Sequence, residues 1–442
     1  MNIVQITPGA GGMYCGLCFR DNTLVGQLRK LGHQVTMVPL YLPFTLDEAD
    51  ESAGTPIFFG GINVYLEQKS ALFRGLPRWF HNLLASRGLL KWAAGKAAAN
   101  TRPEDLGALT LSMLRGEAGN QARELEELIS WLNGQPRPEV ICLSTALLLG
   151  MARELKARFA APVVCMLQGE DVFLDSLPAS HREQCWQELR ERAAGVDLFV
   201  GTSGYFADMM RERLRLPAEK MRVLYNGITL TGYDHPKEVS STPVLGFFAR
   251  MCRDKGLDTL VEAYIILRER GSVKDLKLRV GGSCGPADES FVESLKQRLK
   301  GKNLFDQVEF VPNPDRAAKL DFLRSLSIFS VPARYGEAFG LYVVEALAAG
   351  VPVVLPRLGA FPELVEATGG GELCEPGNAS SLADVIERLL LDPNRLRVLG
   401  ERGRRAVFEK FSAEAMARDT VEIYREVISK NSQLSRPVLQ AK

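Results

Sequence analysis

The chain has 442 residues, 46% of them hydrophobic and 24% charged, which is typical of a soluble globular protein with two domains. The 54 Lys and Arg residues nearly balance the 53 Asp and Glu residues, so the net charge of +1 gives no electrostatic reason to expect nucleic-acid binding. No apolar run approaches the ~20 residues of a membrane-spanning helix, and segment 1–9 has the pattern of a strand and not of a signal peptide.

The eight cysteines are scattered along the chain, and two of them, Cys142 and Cys165, lie inside apolar strand patterns. Such spacing favours reduced thiols over a disulfide framework. These features predict a cytoplasmic enzyme.

Short apolar runs alternate with segments of helical periodicity, which predicts parallel sheets covered by helices. The first half, 1–235, forms one predicted domain. Its strands are predicted at Asn2–Thr7, Gln34–Pro39, Val140–Ser144, Val163–Leu167, Leu198–Gly201 and Arg222–Leu224.

A glycine-rich loop, Thr7 to Cys18, follows the first strand. Its spacing is not the G-x-G-x-x-G of dinucleotide-binding proteins. Cys15 and Cys18 within it favour small apolar packing. A redox pair or a zinc site is the alternative, although zinc needs about two further ligands that no paired Cys/His cluster supplies.

Segment 68–103 carries seven basic residues and no acid, interleaved with Trp79, Trp92 and other apolar side chains. It begins a helical insertion predicted over 68–130. We favour a lid over the acceptor side. The alternative is peripheral docking on the anionic inner face of a membrane, which basic amphipathic segments with interfacial tryptophans also perform.

A polar, proline-bounded stretch, Asp234 to Pro243, predicts a linker, after which the alternation of strands and helices restarts. The second domain is predicted over 243–410, with strands at Val244–Phe248, Leu278–Gly281, Val308–Val311, Ile328–Val331 and Val353–Leu355. Two doubly wound domains would place ligands at the carboxyl ends of their strands, facing the crevice between them.

The last predicted element is an amphipathic helix over Phe411–Ile428 that Ser412 can cap. We expect 411–430 to cross back to the first domain, and the tail after Lys430 to be loose.

The segment from Arg334 to Val354 carries the clearest chemical pattern. Gly340 lies where a loop should turn into a helix, and a helix N-terminus offers unpaired N–H groups and a positive dipole end to a phosphate. Glu337 and Glu345 flank it, and carboxylates suit paired hydroxyls better than phosphate. A nucleotide sugar has this arrangement, because its diphosphate lies between two groups that carry paired hydroxyls. A surface pair of glutamates is the alternative.

Arg250 and Lys255 follow the first strand of the second domain, where a βα turn should face the ligand. Two fixed cations could offset the charge on a leaving diphosphate and make a metal unnecessary. The chain also lacks an Asp-x-Asp metal clamp. Solvated surface cations are the alternative.

Over nearly its whole length the chain resembles the retaining glycosyltransferases of family 4, which have the GT-B fold of two Rossmann-like domains. The segments that carry the resemblance are Gly11-Gly12, Asn226-Gly227-Ile228, Gly246 to Arg250 with Lys255-Gly256, the Glu337/Glu345 segment, and Leu358 to Glu363. The resemblance implies a sugar transfer from a nucleotide sugar, with UDP as the expected nucleotide, to a hydroxyl acceptor that is a glycan or lipid-linked. It implies no metal and no cofactor beyond this co-substrate.

By this resemblance Glu345 would hold the ribose hydroxyls and Glu337 the donor-sugar hydroxyls. Backbone amides near Gly340 and Leu341 would hold the diphosphate. Further donor contacts would come from Phe339, Gly12 and Asn226.

At the loop after the fourth strand the chain departs from the family, because Gln168 stands where histidine is common. Glutamine cannot carry a proton, but its amide can position a hydroxyl. Asp171 or Glu170 could hold substrate hydroxyls instead, and for Glu170 a solvated loop position is an equal alternative.

Three other functions stay open at this point. Gln168 makes a catalytically silent nucleotide-sugar-binding protein of the same fold conceivable. A nicotinamide-dependent enzyme shares the layered architecture but would need the missing glycine fingerprint. A thiol or zinc module would centre on Cys15 and Cys18.

Overall fold

The computed structural model describes residues 1–9, 16–42, 48–59, 103–234 and 242–434. It divides into two compact units, Met1–Tyr225 with Met416–Lys442, and Asn226–Ala415. The loop with Gly12 and Cys15 and the basic segment 68–102 lie outside the described residues. The predicted lid and membrane contact therefore stay predictions.

The first unit is built on a six-stranded, wholly parallel sheet in the order β2-β1-β3-β4-β5-β6. The six strands predicted from apolar runs are confirmed, except that β3 ends one residue earlier and β6 is shifted by one residue towards the N-terminus. Their bounds are β1 Asn2–Thr7, β2 Gln34–Pro39, β3 Val140–Leu143, β4 Val163–Leu167, β5 Leu198–Gly201 and β6 Met221–Val223.

Helices cover this sheet, as a parallel arrangement requires. They are α1 Gly16–Lys30, α2 Pro103–Leu114, α3 Ala122–Leu132, α4 Ala152–Phe159, α5 Glu170–Ser176, α6 Ala179–Arg192 and α7 Gly204–Leu214. The part of the predicted 68–130 insertion that the structure describes, from Pro103 onward, is thus helical.

The second unit has a second six-stranded parallel sheet in the order β12-β11-β10-β7-β8-β9. Its strands are β7 Val244–Phe248, β8 Lys277–Gly282, β9 Val308–Pro312, β10 Ile328–Phe329, β11 Val353–Pro356 and β12 Gly371–Cys374. The five predicted strands are confirmed. The sequence missed β12, because its four residues, Gly371 to Cys374, contain no apolar run longer than two residues.

The helices of the second unit are α8 Leu257–Arg270, α9 Pro286–Gly301, α10 Arg316–Arg324, α11 Leu341–Ala348, α12 Phe361–Thr368, α13 Ala379–Leu390 and α14 Pro393–Lys410. Strands β7, β8 and β9 follow one another in one direction across the sheet, and β10, β11 and β12 in the other. The order therefore reverses between β7 and β10, and such a switch point is where doubly wound sheets bind ligands.

The last helix, α15 Ala413–Leu434, returns to the first unit. Its residues Met416, Val421 and Tyr424 lie in the same apolar core as Ile3 of β1. The Ser412 hydroxyl accepts a hydrogen bond from the Ala415 N–H at 3.1 Å, as a cap should. The expectation of a loose tail after Lys430 is wrong for the next turn, since the helix continues to Leu434.

The boundary between the two compact units lies between Tyr225 and Asn226, before the predicted linker that begins at Asp234. The physical reason lies in segment 231–233, because three consecutive carbonyls there accept hydrogen bonds from second-unit arginines. Arg316 donates to Thr231, Arg324 to Gly232 and Arg404 to Tyr233. Of the helices within the described residues, none is long and apolar enough to cross a membrane.

Candidate active site

Lys255 and Glu337 meet at the switch point of the second sheet. Lys255 follows β7 and Glu337 follows β10, and these two strands pair directly. The Lys255 Nζ lies 2.5 Å from the Glu337 Oε2. The turn after Lys255 needs glycine, because Gly256 has a φ of +72° and an added Cβ would lie 1.9 Å from the Pro332 carbonyl oxygen.

Two tyrosines complete this group, which we call the Glu337 cluster: Lys255, Tyr335, Glu337 and Tyr342. The Tyr342 hydroxyl donates to the Glu337 Oε2 at 2.6 Å, and the Tyr335 hydroxyl donates to it at 3.3 Å and contacts the lysine. The Lys255 Nζ also lies 4.8 Å from the Tyr335 ring centroid and 5.2 Å from that of Tyr342. Both rings are placed to attract the ammonium.

The charges within the Glu337 cluster are well defined. Burial lowers the pKa of Lys255, but Glu337 and Tyr335 outweigh burial and leave that pKa above its usual value. Burial raises the pKa of Tyr335 to about 12 and that of Tyr342 well above its usual value. At neutral pH the lysine is therefore charged, and both hydroxyls keep their protons.

Only one oxygen of Glu337 is used by the cluster. Oε2 receives all of its hydrogen bonds, and Oε1 receives none from any residue within the described ranges. A carboxylate held in place through one oxygen is ready to accept a ligand hydroxyl at the other.

The loop that carries Glu337 is braced from behind by segment 358–363. The Ala360 N–H donates to the Glu337 carbonyl at 2.9 Å. A Cβ at Gly359 would lie 2.4 Å from the Glu337 backbone nitrogen, so only glycine permits this approach. The later motif thus fixes the position of Glu337 by its backbone.

Helix α11 begins where the sequence predicts it. Gly340 is its N-cap, with a φ of +97° that favours glycine, and Leu341 is its first residue. The helix start therefore presents N–H groups and a positive dipole end next to the Glu337 cluster, which suits an anion.

Glu345 lies in the second turn of α11 and pairs with a residue that sequence reasoning missed. The Lys319 Nζ of α10 donates to the Glu345 Oε1 at 2.8 Å. The Lys319 and Glu345 side chains are 17% and 20% exposed, respectively. The only sequence signal for Lys319 is its place in the second turn of a helix that follows the carboxyl end of a strand, β9.

Arg250 does not join Lys255 as the sequence suggested, and instead binds Asp288 with two hydrogen bonds. Its Nε donates to the Asp288 Oδ2 at 2.9 Å and its Nη2 to Oδ1 at 3.1 Å. Asp288 is buried in the first turn of α9, whereas the Arg250 side chain is 58% exposed. The guanidinium is thus oriented by Asp288 near the carboxyl edge, with its Nη1 turned to no acceptor among the described residues.

Phe339 and Asn226, both predicted donor contacts, are buried. The Phe339 ring packs against Phe411 at 6.2 Å between centroids and is 3% exposed. Its side chain is therefore part of the core, and only its backbone remains for a ligand. Asn226 is also 3% exposed, at the first residue of the second unit.

In the first unit, Gln168 and Asp171 follow the carboxyl end of β4. Gly169 between them has a φ of +101°, and α5 starts at Glu170. Burial raises the pKa of Asp171, while the N–H of Val172 and the charge of Arg213 oppose that rise. The two residues stay candidates for hydroxyl contacts in this unit.

The solvated alternative for Glu170 is wrong, since the residue is 5% exposed. Its Oε1 accepts from the Ala146 N–H at 2.7 Å and its Oε2 from the Gln168 N–H at 2.6 Å. Burial raises the pKa of Glu170, and these N–H groups oppose that rise. Both oxygens hold the loops after β3 and β4, so Glu170 is not free to hold substrate hydroxyls.

No group of three or more His, Cys, Asp or Glu side chains that could hold a metal ion occurs among the described residues. Cys18 is buried in the apolar core of the first unit, whereas Cys15 lies outside the described residues, so the packing prediction for this pair stays a prediction.

Comparison with known proteins adds to this geometry. The family model for glycosyl transferases group 1 matches residues 234–406, and that for Glycosyltransferase Family 4 matches residues 107–231. The MMP alpha-(1->4)-mannosyltransferase of Mycolicibacterium hassiacum is 40% identical over 177 residues, which are 40% of this chain and 41% of that protein. The chain spans 41% of the length of this relative, and 55% and 35% of the length of two other curated relatives.

Solved structures share the fold over almost the whole chain. Sucrose-phosphate synthase from Thermosynechococcus elongatus matches with a TM-score of 0.70 and 21% identity, covering 97% of this chain and 99% of that one. Anabaena Alr3699/HepE in complex with UDP matches with a TM-score of 0.66 and 17% identity, covering 96% and 100%. The two family models and this shared architecture confirm the predicted α/β GT-B fold. The chain therefore belongs to the family 4 glycosyltransferases.

Proposed function

We propose that this protein transfers a sugar from a nucleotide sugar, with UDP as the nucleotide, to a hydroxyl acceptor, with retention of the anomeric configuration and without a metal ion. The observation that carries the proposal is the Glu337 cluster at the switch point, directly beside the start of α11. A fixed carboxylate next to an anion-binding helix start is what a sugar attached to a diphosphate requires.

In this proposal the diphosphate lies at the N–H groups of Gly340 and Leu341. The donor-sugar hydroxyls bind the open Oε1 of Glu337, and the ribose hydroxyls bind Glu345. Lys255 and the oriented Arg250 oppose the negative charge that grows on the diphosphate as it leaves.

The reaction breaks the bond between the anomeric carbon and the phosphate oxygen, and forms one between that carbon and the acceptor oxygen on the same face. The acceptor proton passes to the leaving phosphate oxygen. This route needs no histidine, so Gln168 can serve by positioning a hydroxyl. Asp171, three residues later in the first unit, can hold acceptor or donor hydroxyls.

Relatives support the proposal at the level of reaction class. One matching protein is named as a mannosyltransferase, and matching structures of Alr3699/HepE contain UDP, UDP with glucose, or UDP-glucose. These names support a nucleotide-sugar donor and a UDP moiety for this chain, and they leave the acceptor to experiment.

The test starts with titration calorimetry against UDP, GDP and ADP, followed by a transfer assay with sugar nucleotides of the base that binds. We expect UDP to bind, Glu345→Ala to weaken it at least about tenfold through lost hydrogen bonds to a charged group, and the product to keep the donor configuration by NMR. Full activity after EDTA treatment is expected.

Unchanged UDP binding by Glu345→Ala would contradict the donor placement. Tight nucleotide binding without transfer or hydrolysis across a broad acceptor panel would contradict the enzyme and support the silent alternative. An inverted product would contradict retention, and inactivation by EDTA with recovery on adding a divalent cation would contradict metal independence.

A further inference from the structure

The pair of Lys319 and Glu345 joins the two helices on either side of β10 in the chain. Helix α10 leads from β9 to β10 and α11 from β10 to β11, and both steps run in the same direction across the sheet. Because such crossovers are right-handed, the two helices lie on the same face. Their second turns come together near the carboxyl edge, where Lys319 and Glu345 meet at 2.8 Å.

Both helices hold the pair firmly. Asp315 caps α10 by accepting the Ala318 N–H at 2.8 Å, and arginines at both ends of this helix donate to the carbonyls of 231 and 232. Helix α11 buries five of its eight residues in the core, Val343 and Val344 among them. Neither partner can therefore adjust by moving its backbone.

The two oxygens of Glu345 are used differently. Oε1 accepts from Lys319, and Oε2 receives no hydrogen bond from any residue in the described part of the chain. The Glu337 cluster has the same design, with Lys255 on one oxygen and the other left open. A lysine on one oxygen limits the rotation of a glutamate side chain and so orients the other oxygen before a ligand arrives.

We propose that Lys319 is a positioning residue for the nucleotide: by holding the Glu345 Oε1 it directs Oε2 towards the ribose hydroxyls, and it thereby sets how strongly the protein distinguishes a ribonucleotide from its 2′-deoxy analogue. The inference rests on the proposed function, because it takes Glu345 to be the ribose ligand. The proposal gives α10 a role in donor recognition that no motif in its sequence predicts.

The experiment compares UDP with 2′-deoxy-UDP by titration calorimetry. The parent should bind UDP about tenfold more tightly, as expected for one hydrogen bond to a charged group. In Lys319→Met the loss of affinity should be larger for UDP than for 2′-deoxy-UDP, so that the ratio of the two Kd values falls towards one. Lys319→Arg, which keeps a donor and the charge, should restore most of the ratio.

Lys302→Met is the matched control. Lys302 forms an ion pair with Glu269 at 2.7 Å in the same unit, with both side chains about half exposed. It follows the end of α9, at the opposite edge of the sheet from the carboxyl ends. This variant should keep the parent ratio. Circular dichroism and thermal melting check that each variant folds. If Lys319→Met does not fold, Lys319→Gln takes its place.

The outcomes separate the two proposals. If none of UDP, GDP and ADP binds the parent, the proposed function fails and the inference with it. If UDP binds but Lys319→Met keeps the parent ratio, or weakens both nucleotides equally, the role of Lys319 is overturned while the proposed function stands. If Glu345→Ala keeps the ratio, Glu345 is not the ribose ligand and the inference is overturned by that route.

Discussion

Replacing Tyr342 by phenylalanine removes a single hydroxyl from the Glu337 cluster and leaves its charges in place. That hydroxyl donates to the Glu337 Oε2 at 2.6 Å and is partly buried. Lys255 and Tyr335 still hold the same oxygen in the variant. The change therefore weakens the orientation of Glu337 without leaving the carboxylate unpaired.

The expected magnitude follows from these contacts. A hydrogen bond to a charged group contributes about 1.5–3 kcal/mol, and the two remaining partners of Glu337 place the loss near the lower end. About 1.5 kcal/mol corresponds to a roughly tenfold fall in kcat/KM for the nucleotide sugar. UDP alone should bind as it does to the parent, because Glu345 and the backbone N–H groups at the start of α11 are untouched.

The assay measures kcat/KM for the donor and, separately, the Kd for UDP. Tyr264→Phe is the matched control, since the Tyr264 hydroxyl is buried in the second unit but donates to the Leu276 carbonyl at 3.1 Å, away from the cluster. Both variants should lose about 1 kcal/mol of folding free energy, and only Tyr342→Phe should lose activity. An unchanged kcat/KM, or an equal loss in UDP affinity, would refute the role given to the Glu337 cluster.

Two further substitutions test the cations of the site. Lys255→Met removes the charge beside Glu337 and should lower kcat by about 100-fold or more, as expected for a lost electrostatic contact to the leaving group; single-turnover kinetics measures this, and a kcat within a factor of about three of the parent would contradict it. Asp288→Asn should lower kcat about three- to tenfold by loosening the guanidinium of Arg250, which corresponds to about 0.6–1.4 kcal/mol of lost orientation. The same substitution in an Arg250→Ala background should then have no further effect on kcat, and an additive loss would show that Asp288 acts by another route.

Much of the fold could be predicted from the sequence because most of its strands are short apolar runs. Strand β4, for example, is buried at all five positions. Strand β12 could not be predicted in the same way, since its four residues, Gly371 to Cys374, contain no apolar run longer than two residues. The end of α15 was missed for a related reason: the polar residues after Lys430 resemble a tail, although the helix continues to Leu434.

In the candidate site, too, some residues could be predicted from the sequence and others could not. Glu337, Gly340, Glu345 and Lys255 could be placed because each follows a predicted strand, and the topology of parallel sheets brings strand ends together. Their partners could not be placed, because no local pattern encodes them. Glu170 is the clearest example, since the amide that holds its Oε1 belongs to a residue 24 positions earlier in the chain.

In the proposed donor site, the lysines would explain how two carboxylates can stand beside a diphosphate. A glutamate that holds a sugar or ribose hydroxyl lies within a few ångströms of the phosphates, and two like unit charges 5 Å apart at an effective dielectric constant of about 20 repel by about 3 kcal/mol. Lys255 on Glu337 and Lys319 on Glu345 cancel that repulsion while each leaves one oxygen open. In this arrangement the acids act on hydroxyls as acceptors, and the phosphates face the start of α11, the oriented Arg250 and the charge of Lys255. Replacing a glutamate by glutamine would remove the same repulsion, but an amide has only one acceptor oxygen, and its NH2 group would then face either the lysine ammonium or the diol. The paired acid and lysine is therefore the combination that can hold a polyol next to a diphosphate.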